Sequence, residues 1–390
     1  MSRKAEKFGH VFSPLQVGYI TDCMEPLNAG SDVGWALEMI ADSPEMEVVP
    51  IERDGAVLGV VSRQVLEKVA GSAWARFWQK DLDAYLIPAR ETIESSSYIG
   101  KIAEETLKNS RGDTPNWFIV QHKRSYLGIV SLQQMLEYMN TLRSQDLRTA
   151  GEIQKHLLDQ SALKDSRISL FFYNQMAHEI GGDFYRVFRK GDNCLIACFD
   201  AAGKNITGAM TTMALGACFT AFELFDYEGS AEKMTGIINN LVRMVNPSGV
   251  FVAGILFYVD FADMNVKIHN CGFSPIQIFM PQKEEKKIAY KIINPNLPPL
   301  GIQEELELEA ESRAIPITRG LRLTAYSDGL TDMADIFGER YGEERTGELL
   351  KNLHGVAHKD MTKAIDTTIK TWIGEASLAD DITLVDIRFT

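Results

Sequence analysis

Residues 194–200, CLIACFD, build an apolar run and end it on a carboxylate, and three other stretches do something similar. RLTAYSD ends on Asp328, EIGGDFYRVF opens a run at Asp183 behind two glycines, and SLADDITLVDI opens one at Asp380 and Asp381. A carboxylate at the edge of a core is costly unless something pairs with it. Taken singly, each of these aspartates reads as an Asx turn or a helix cap. Taken together, strand packing could gather them at one end of the sheets, where several uncompensated carboxylates would repel. A hard divalent cation, Mg²⁺ or Mn²⁺, answers that repulsion, because it takes carboxylate, main-chain carbonyl and water oxygens. Zinc fits less well, since no His or Cys accompanies these positions.

The elements that must position these residues are strands. Beyond Ser166, RISLFFYNQM, NCLIACFD, GVFVAGILFYVDFADMNVKIHNCG, IQIFM, RLTAYSD and DITLVDIRF are strand candidates, with a tight turn expected at 263–265. Helices are expected over 207–224, 231–245 and 359–374. Many hairpin-linked strands with a few long helices predict an α+β domain over 166–390, a sandwich of two antiparallel sheets flanked by helices.

In this order, GGDFY, DAAGKNITGAM, NCGFSP, LPPLGI, YSDGLTD and ADDITL resemble the metal-dependent Ser/Thr protein phosphatases of the PPM superfamily. The resemblance is strongest to the bacterial branch typified by the stage II sporulation E phosphatase and stress-response regulators, and EIQKHLL just before the domain fits that branch's entry helix. It implies two Mn²⁺ or Mg²⁺ ions bridged by Asp200, with the Ala201 carbonyl on one of them. Asp183 would serve the second ion, and Asp328 and Asp380 would complete the first. Asp381 takes the place of an Asn or Asp beside the ligands. One departure is visible: the family's Gly-His-Gly or Gly-Lys-Gly is here Gly203, Lys204, Asn205. Asn is the best-tolerated substitute where φ must be positive. A two-metal site activates water and holds phosphate for in-line attack, so the expected reaction is hydrolysis of phosphoserine or phosphothreonine on a protein. No cysteine sits in the glycine-rich, arginine-terminated loop that a thiol phosphatase would use.

Upstream, residues 48–66 and 117–136 each read as strand, turn, strand, helix start, around the shared LGVVS and LGIVS. Two such units should bury their apolar sheet faces against one another. Residues 14–140 resemble a tandem pair of CBS domains, which implies an α/β regulatory domain over 1–136 and an adenosine nucleotide as its ligand. In that family an Asp three residues after the Ser/Thr that closes the second strand often holds the ribose; here those positions are Val65 and Gln134. Residues 137–165 are expected to form a helical connector, with Leu136, Met139, Leu142, Leu147, Ala150, Ile153 and Leu157 on one apolar face. That face is a candidate seam for a homodimer.

Composition bounds the rest. The 390 residues carry a net charge of −13, with a pI near 5.1, which excludes a nucleic-acid partner for want of a basic surface. The five cysteines lack zinc or disulfide spacing. The N-terminus has no apolar signal region, so a cytoplasmic protein is expected. The uncharged stretch 206–222 reads as a buried core helix and not a membrane span. Together these features predict a phosphoprotein phosphatase governed by an N-terminal sensor, its partner by resemblance a phosphorylated anti-sigma-factor antagonist. The alternatives are a catalytically weak, nucleotide-sensing scaffold and a hydrolase of small phosphorylated molecules. The latter would need a deep, enclosed pocket.

Overall fold

The LGVVS and LGIVS copies are the return strands of two hairpins. The computed structural model describes residues 11–41, 47–71, 81–89, 91–108, 117–158, 165–203, 206–247, 249–281 and 288–390, and the chain divides into the units Met1–Gln145 and Asp146–Thr390. In the first unit, β1 (Leu27–Asn28) lies parallel to β2 (Val48–Arg53), which turns back into β3 (Ala56–Ser62), and β4 (Ile87–Pro88) pairs with β3. The second copy repeats the arrangement: β5 (Thr92–Glu94) is parallel to β6 (Trp117–His122), which turns back into β7 (Ser125–Ser131). Helices Val33–Ile40 and Ile99–Lys108 join the parallel strands of the two copies.

The likeness reaches the irregularities. Register slips at Ile51/Glu52 in the first hairpin and at Val120/Gln121 in the second. A Cβ on Gly59 would overlap the Ile87 carbonyl, and one on Gly128 the Asp22 carbonyl. Each glycine therefore admits a second segment against its return strand. Val48, Val60 and Ile129 bury against one another with Trp117 and Tyr126 beside them, so the two sheets do share apolar surface as the repeat predicts.

The second unit holds β8 (Ile168–Gln175), β9 (Asp183–Lys190), β10 (Asn193–Ala201), β11 (Val252–Asp260), β12 (Asn265–Cys271), β13 (Ile276–Pro281), β14 (Ile288–Ile293), β15 (Arg313–Pro316), β16 (Arg322–Tyr326) and β17 (Ile382–Phe389). They form two five-stranded sheets, ordered β15-β12-β11-β10-β9 and β14-β13-β16-β17-β8, with every neighbouring pair antiparallel. Ile196 and Phe257 of one sheet meet Leu323 and Val385 of the other in the central core. Helices Ile206–Leu224 and Ala231–Val245 cover the outer face of the first sheet, through Leu215, Phe219 and Ile238 on Phe199 and Leu256. Helices Gly342–Asn352 and His358–Ile373 cover the second, through Leu350 and Ile365 on Tyr326 and Leu384. The expected α-β-β-α sandwich is therefore the fold of this unit. β10 alternates nothing because both its faces are buried, one by a sheet and one by helices.

Among the elements that escaped the sequence reading are β14, β15 and helix Gly342–Asn352. β15 is four residues long at a sheet edge and only partly buried, β14 closes the edge of the other sheet, and helix Gly342–Asn352 carries three charges in its first turn and few apolar residues. None presents a long apolar run. The connector helix, Leu132–Leu158, begins five residues earlier than expected, and its apolar stripe is divided. Leu136 and Met139 pack on the core of the first unit, and Leu157 on that of the second. Residues 159–164 of the expected connector lie outside the described residues. Among the described residues no helix is long and apolar enough to cross a membrane.

Candidate active site

Antiparallel pairing brings the carboxylates together. Asp200, near the end of β10, is the register partner of Asp183 at the start of β9. In the facing sheet, β16 runs into Ser327 and Asp328, and β17 begins immediately after Asp380 and Asp381. All the singled-out aspartates thus stand at one end of the sandwich. A cleft of about 300 Å³ lies there, walled by Asp200, Ala201, Asp328, Asp380, Asp381 and the loop before β9. Asp328 and Asp380 are exposed at its mouth, whereas Asp183 is buried.

Hydrogen bonds hold this end in place. Ser327 Oγ donates to Asp183 Oδ2 at 2.8 Å and accepts the Thr383 main-chain N–H at 2.8 Å, tying β9 of one sheet to β16 and β17 of the other. Asp381 turns its carboxylate to the main chain: Oδ1 accepts from Ala177 N at 2.8 Å and Oδ2 from Gly182 N at 2.7 Å. Asp381 therefore shapes the loop that carries Asp183. The other side of that loop is held by Gln154 of helix Leu132–Leu158. Its Oε1 accepts from Gly181 N at 3.0 Å, and its Nε2 donates to Gly181 O at 2.6 Å and to Thr212 Oγ1 at 2.8 Å. Gln154 is 1% exposed, so no water competes for these bonds. The helix comes this close because residue 151 is glycine, where a Cβ would overlap the Glu179 carbonyl.

The electrostatics are those of crowded like charges. Burial, reinforced by the charges of Asp328 and Asp380, pushes the Asp200 carboxyl up to about 7. Asp200 and Asp328 share a hydrogen bond, and Asp328 is itself raised by burial and by Asp380. Burial first and Asp200 second raise Asp183 well above the carboxylate range. Two carboxylates 4 Å apart repel by roughly 4 kcal/mol at an effective dielectric of 20. A cation among them reverses that sign.

The donors fit a hard divalent ion: carboxylates from both sheets and a main-chain carbonyl at Ala201, with oxygen at every position. Among the described residues no three His, Cys, Asp or Glu side chains already close on one point, even though the carboxylates interact strongly. A cation here would take further oxygens from the main chain and from water.

Of the residues singled out in the sequence, Asp200, Ala201, Asp328, Asp380 and Asp381 line one cleft, and Asp183, the register partner of Asp200, is buried. Lys204 and Asn205, the expected departure, lie outside the described residues, while Gly203 has φ +110°. The reading missed Gln154, Ser327 and His178, the last of which lines the cleft.

Comparison with known proteins bears on the same region. Residues 190–390 match the family model described as Stage II sporulation protein E (SpoIIE). No curated protein matches. Among solved structures, the SiaA-PP2C domain of Pseudomonas aeruginosa is 20% identical with a TM-score of 0.53, over 65% of this chain and 99% of that one. The PP2C phosphatase domain of SpoIIE from Bacillus subtilis, solved with a fragment of its regulatory domain, is 16% identical with a TM-score of 0.45, over 57% and 62% of the two chains. A Mycobacterium tuberculosis structure of RsbU and RsbW domains is 16% identical with a TM-score of 0.46, over 57% and 61%. The first of these likenesses is one of fold.

Proposed function

The chain belongs to the stage II sporulation protein E (SpoIIE) family and carries a PP2C-type protein-serine/threonine phosphatase domain, and we propose that it hydrolyses phosphoserine or phosphothreonine on a protein partner. In this reading Asp183, Asp200, Asp328, Asp380 and the Ala201 carbonyl hold two Mg²⁺ or Mn²⁺ ions. When bound, such ions polarise the phosphoryl oxygens and make water a competent nucleophile near neutral pH. The observation that carries the reading is the carboxylate crowding itself, with Asp200 pushed up to about 7 by burial and by neighbours of its own sign.

The chain's own residues supply position. Ser327 fixes the Asp183 carboxylate, and Asp381 and Gln154 hold opposite sides of the loop that presents it. The exposed Asp328 and Asp380 leave the mouth of the cleft open, which suits a phosphorylated side chain on a protein better than a small molecule that must be enclosed.

The domain limits in this proposal are 1–136 for a tandem CBS-type sensor, 137–165 for the connector and 166–390 for the phosphatase. Regulation would run through helix Leu132–Leu158, which supplies Gln134 to the first unit and Gln154 to the second. A ligand can act this way only by favouring one arrangement over another. By resemblance the partner is a phosphorylated anti-sigma-factor antagonist in the cytoplasm, and the working form a homodimer.

The direct test is hydrolysis of an aryl phosphate and of a phosphothreonine peptide by the full chain, with Mn²⁺ and then with chelator. Metal-dependent release of phosphate is expected. Hydrolysis insensitive to chelator would overturn the metal assignment, and none at all would favour the scaffold alternative.

A further inference from the structure

The resemblance of residues 14–140 to tandem CBS modules implies an adenosine nucleotide, and the first unit does contain a cavity at the seam of its two hairpins, of about 240 Å³. Three features of that cavity disagree with a nucleotide. It falls below the roughly 300–1,000 Å³ of sites that enclose drug-sized ligands. Its described lining has the carboxylates Asp22, Glu47 and Glu137, and no Lys, Arg or His among the described residues, so a phosphate would meet charges of its own sign.

The third feature is Gln134, which stands where a ribose-binding carboxylate would be expected. Its Oε1 accepts from Ser131 N at 2.8 Å while Ser131 Oγ accepts from Gln134 N at 2.9 Å, a reciprocal capping box that starts helix Leu132–Leu158. Its Nε2 donates to Asp22 Oδ2 at 2.6 Å. The side chain is thus committed to the fold. In the first copy the equivalent position is Val65, whose main-chain N–H is capped by Ser62 Oγ at 3.3 Å.

We propose that this cavity binds a small organic cation, an amine, amidine or guanidine on a short or flat apolar body, and not a nucleotide. The carboxylates supply the counter-charge, with Glu47 and Glu137 exposed at the mouth and Asp22 half-buried. Trp117 offers an aromatic wall, which attracts a cation through its ring face, and Val48 and Ile129 offer apolar contact. Each of these favours positive charge on a small frame.

The test is calorimetric titration of the full chain with benzamidine and, separately, with AMP. The variants are the doubly substituted Glu47→Gln/Glu137→Gln, both exposed positions, and Asp200→Asn as a control for benzamidine in the catalytic cleft. Saturable benzamidine binding, weakened at least tenfold by the double variant and unchanged by Asp200→Asn, is expected. AMP should give no saturable heat that depends on Glu47 and Glu137. The proposal is overturned if benzamidine does not bind, if its binding is indifferent to the double variant, or if AMP binds more tightly and loses affinity on Trp117→Ala.

Discussion

Asp183 and Asp386 are both buried aspartates of the same sandwich, at 2% and 0% exposure, yet their carboxyls are driven in opposite directions. Asp386, in β17, accepts from Thr324 Oγ1 at 2.9 Å, His358 Nε2 at 2.8 Å and Arg388 Nε at 2.8 Å, and it pairs with Arg322. Burial alone would raise it, but the His358 hydrogen bond and the two guanidiniums prevail and hold it at about 2. Asp183 has a serine hydroxyl and a second carboxylate beside it, and is raised. Depth in the core does not decide the charge of a carboxylate; its neighbours do. One end of the unit pairs its buried carboxylate with cations, and the other crowds carboxylates against one another.

The largest effect should come from Asp200→Asn. We expect kcat/KM for a phosphothreonine peptide to fall at least ~10³-fold, about 4 kcal/mol of barrier. The melting temperature in chelator should be kept or raised, because a repelling charge is removed. Retained activity would dissolve the contrast between the two ends. Next comes Asp386→Asn, which strands Arg322 and Arg388 and should cost about 3–5 kcal/mol in urea unfolding, with kcat/KM per folded molecule near the parent value.

The same contrast has a pH signature. Because the folded Asp386 carboxyl is depressed to about 2, the stability it contributes is full above the ordinary carboxylate range, roughly 4, and is lost as pH falls through that window toward 2. Asp386→Asn should flatten this limb of the urea midpoint against pH. Smaller still is the stabilisation of the parent by Mn²⁺, about 2.7 kcal/mol at one hundred times its Kd, read as a melting shift that Asp200→Asn abolishes. Finally, Gln154→Ala should lower Mn²⁺ affinity and activity about 10–100-fold, as loss of an orienting partner does, with a lesser change in melting temperature. Unaltered metal affinity in that variant would separate the helix from the catalytic loop.

The aspartates of the cleft were legible because each interrupts an apolar run, a local signal that needs no knowledge of pairing. The strands were legible for the same reason, whereas β15 and helix Gly342–Asn352 were not, since neither has a run of apolar residues to announce it. Gln154 was hidden differently. On a helix read by its apolar stripe a glutamine falls on the polar side, and its partner Gly181 is 27 residues away. Gly151 was the available clue, because a glycine inside a helix invites the question of what approaches it. The Asp386 cluster was invisible for want of any motif joining Arg322, His358 and Arg388. The register of β16 against β17 brings Arg322, Asp386 and Arg388 together, and helix His358–Ile373 adds His358.

That register also bears on the order of folding. β17 lies between β16 and β8 in its sheet, and its contacts with β8 join distant residues such as Asn174 and Thr383, 209 apart in the chain. Closing so long a loop is entropically late and slow. The β9–β10 hairpin can bring Asp183 and Asp200 together early, but Asp380 and Asp381 arrive with β17, so the full set of carboxylates cannot meet until that long-range pairing is made. A partly folded chain would have most of its sheets and no chemistry, and hydrolytic competence would appear only as the last step of assembly.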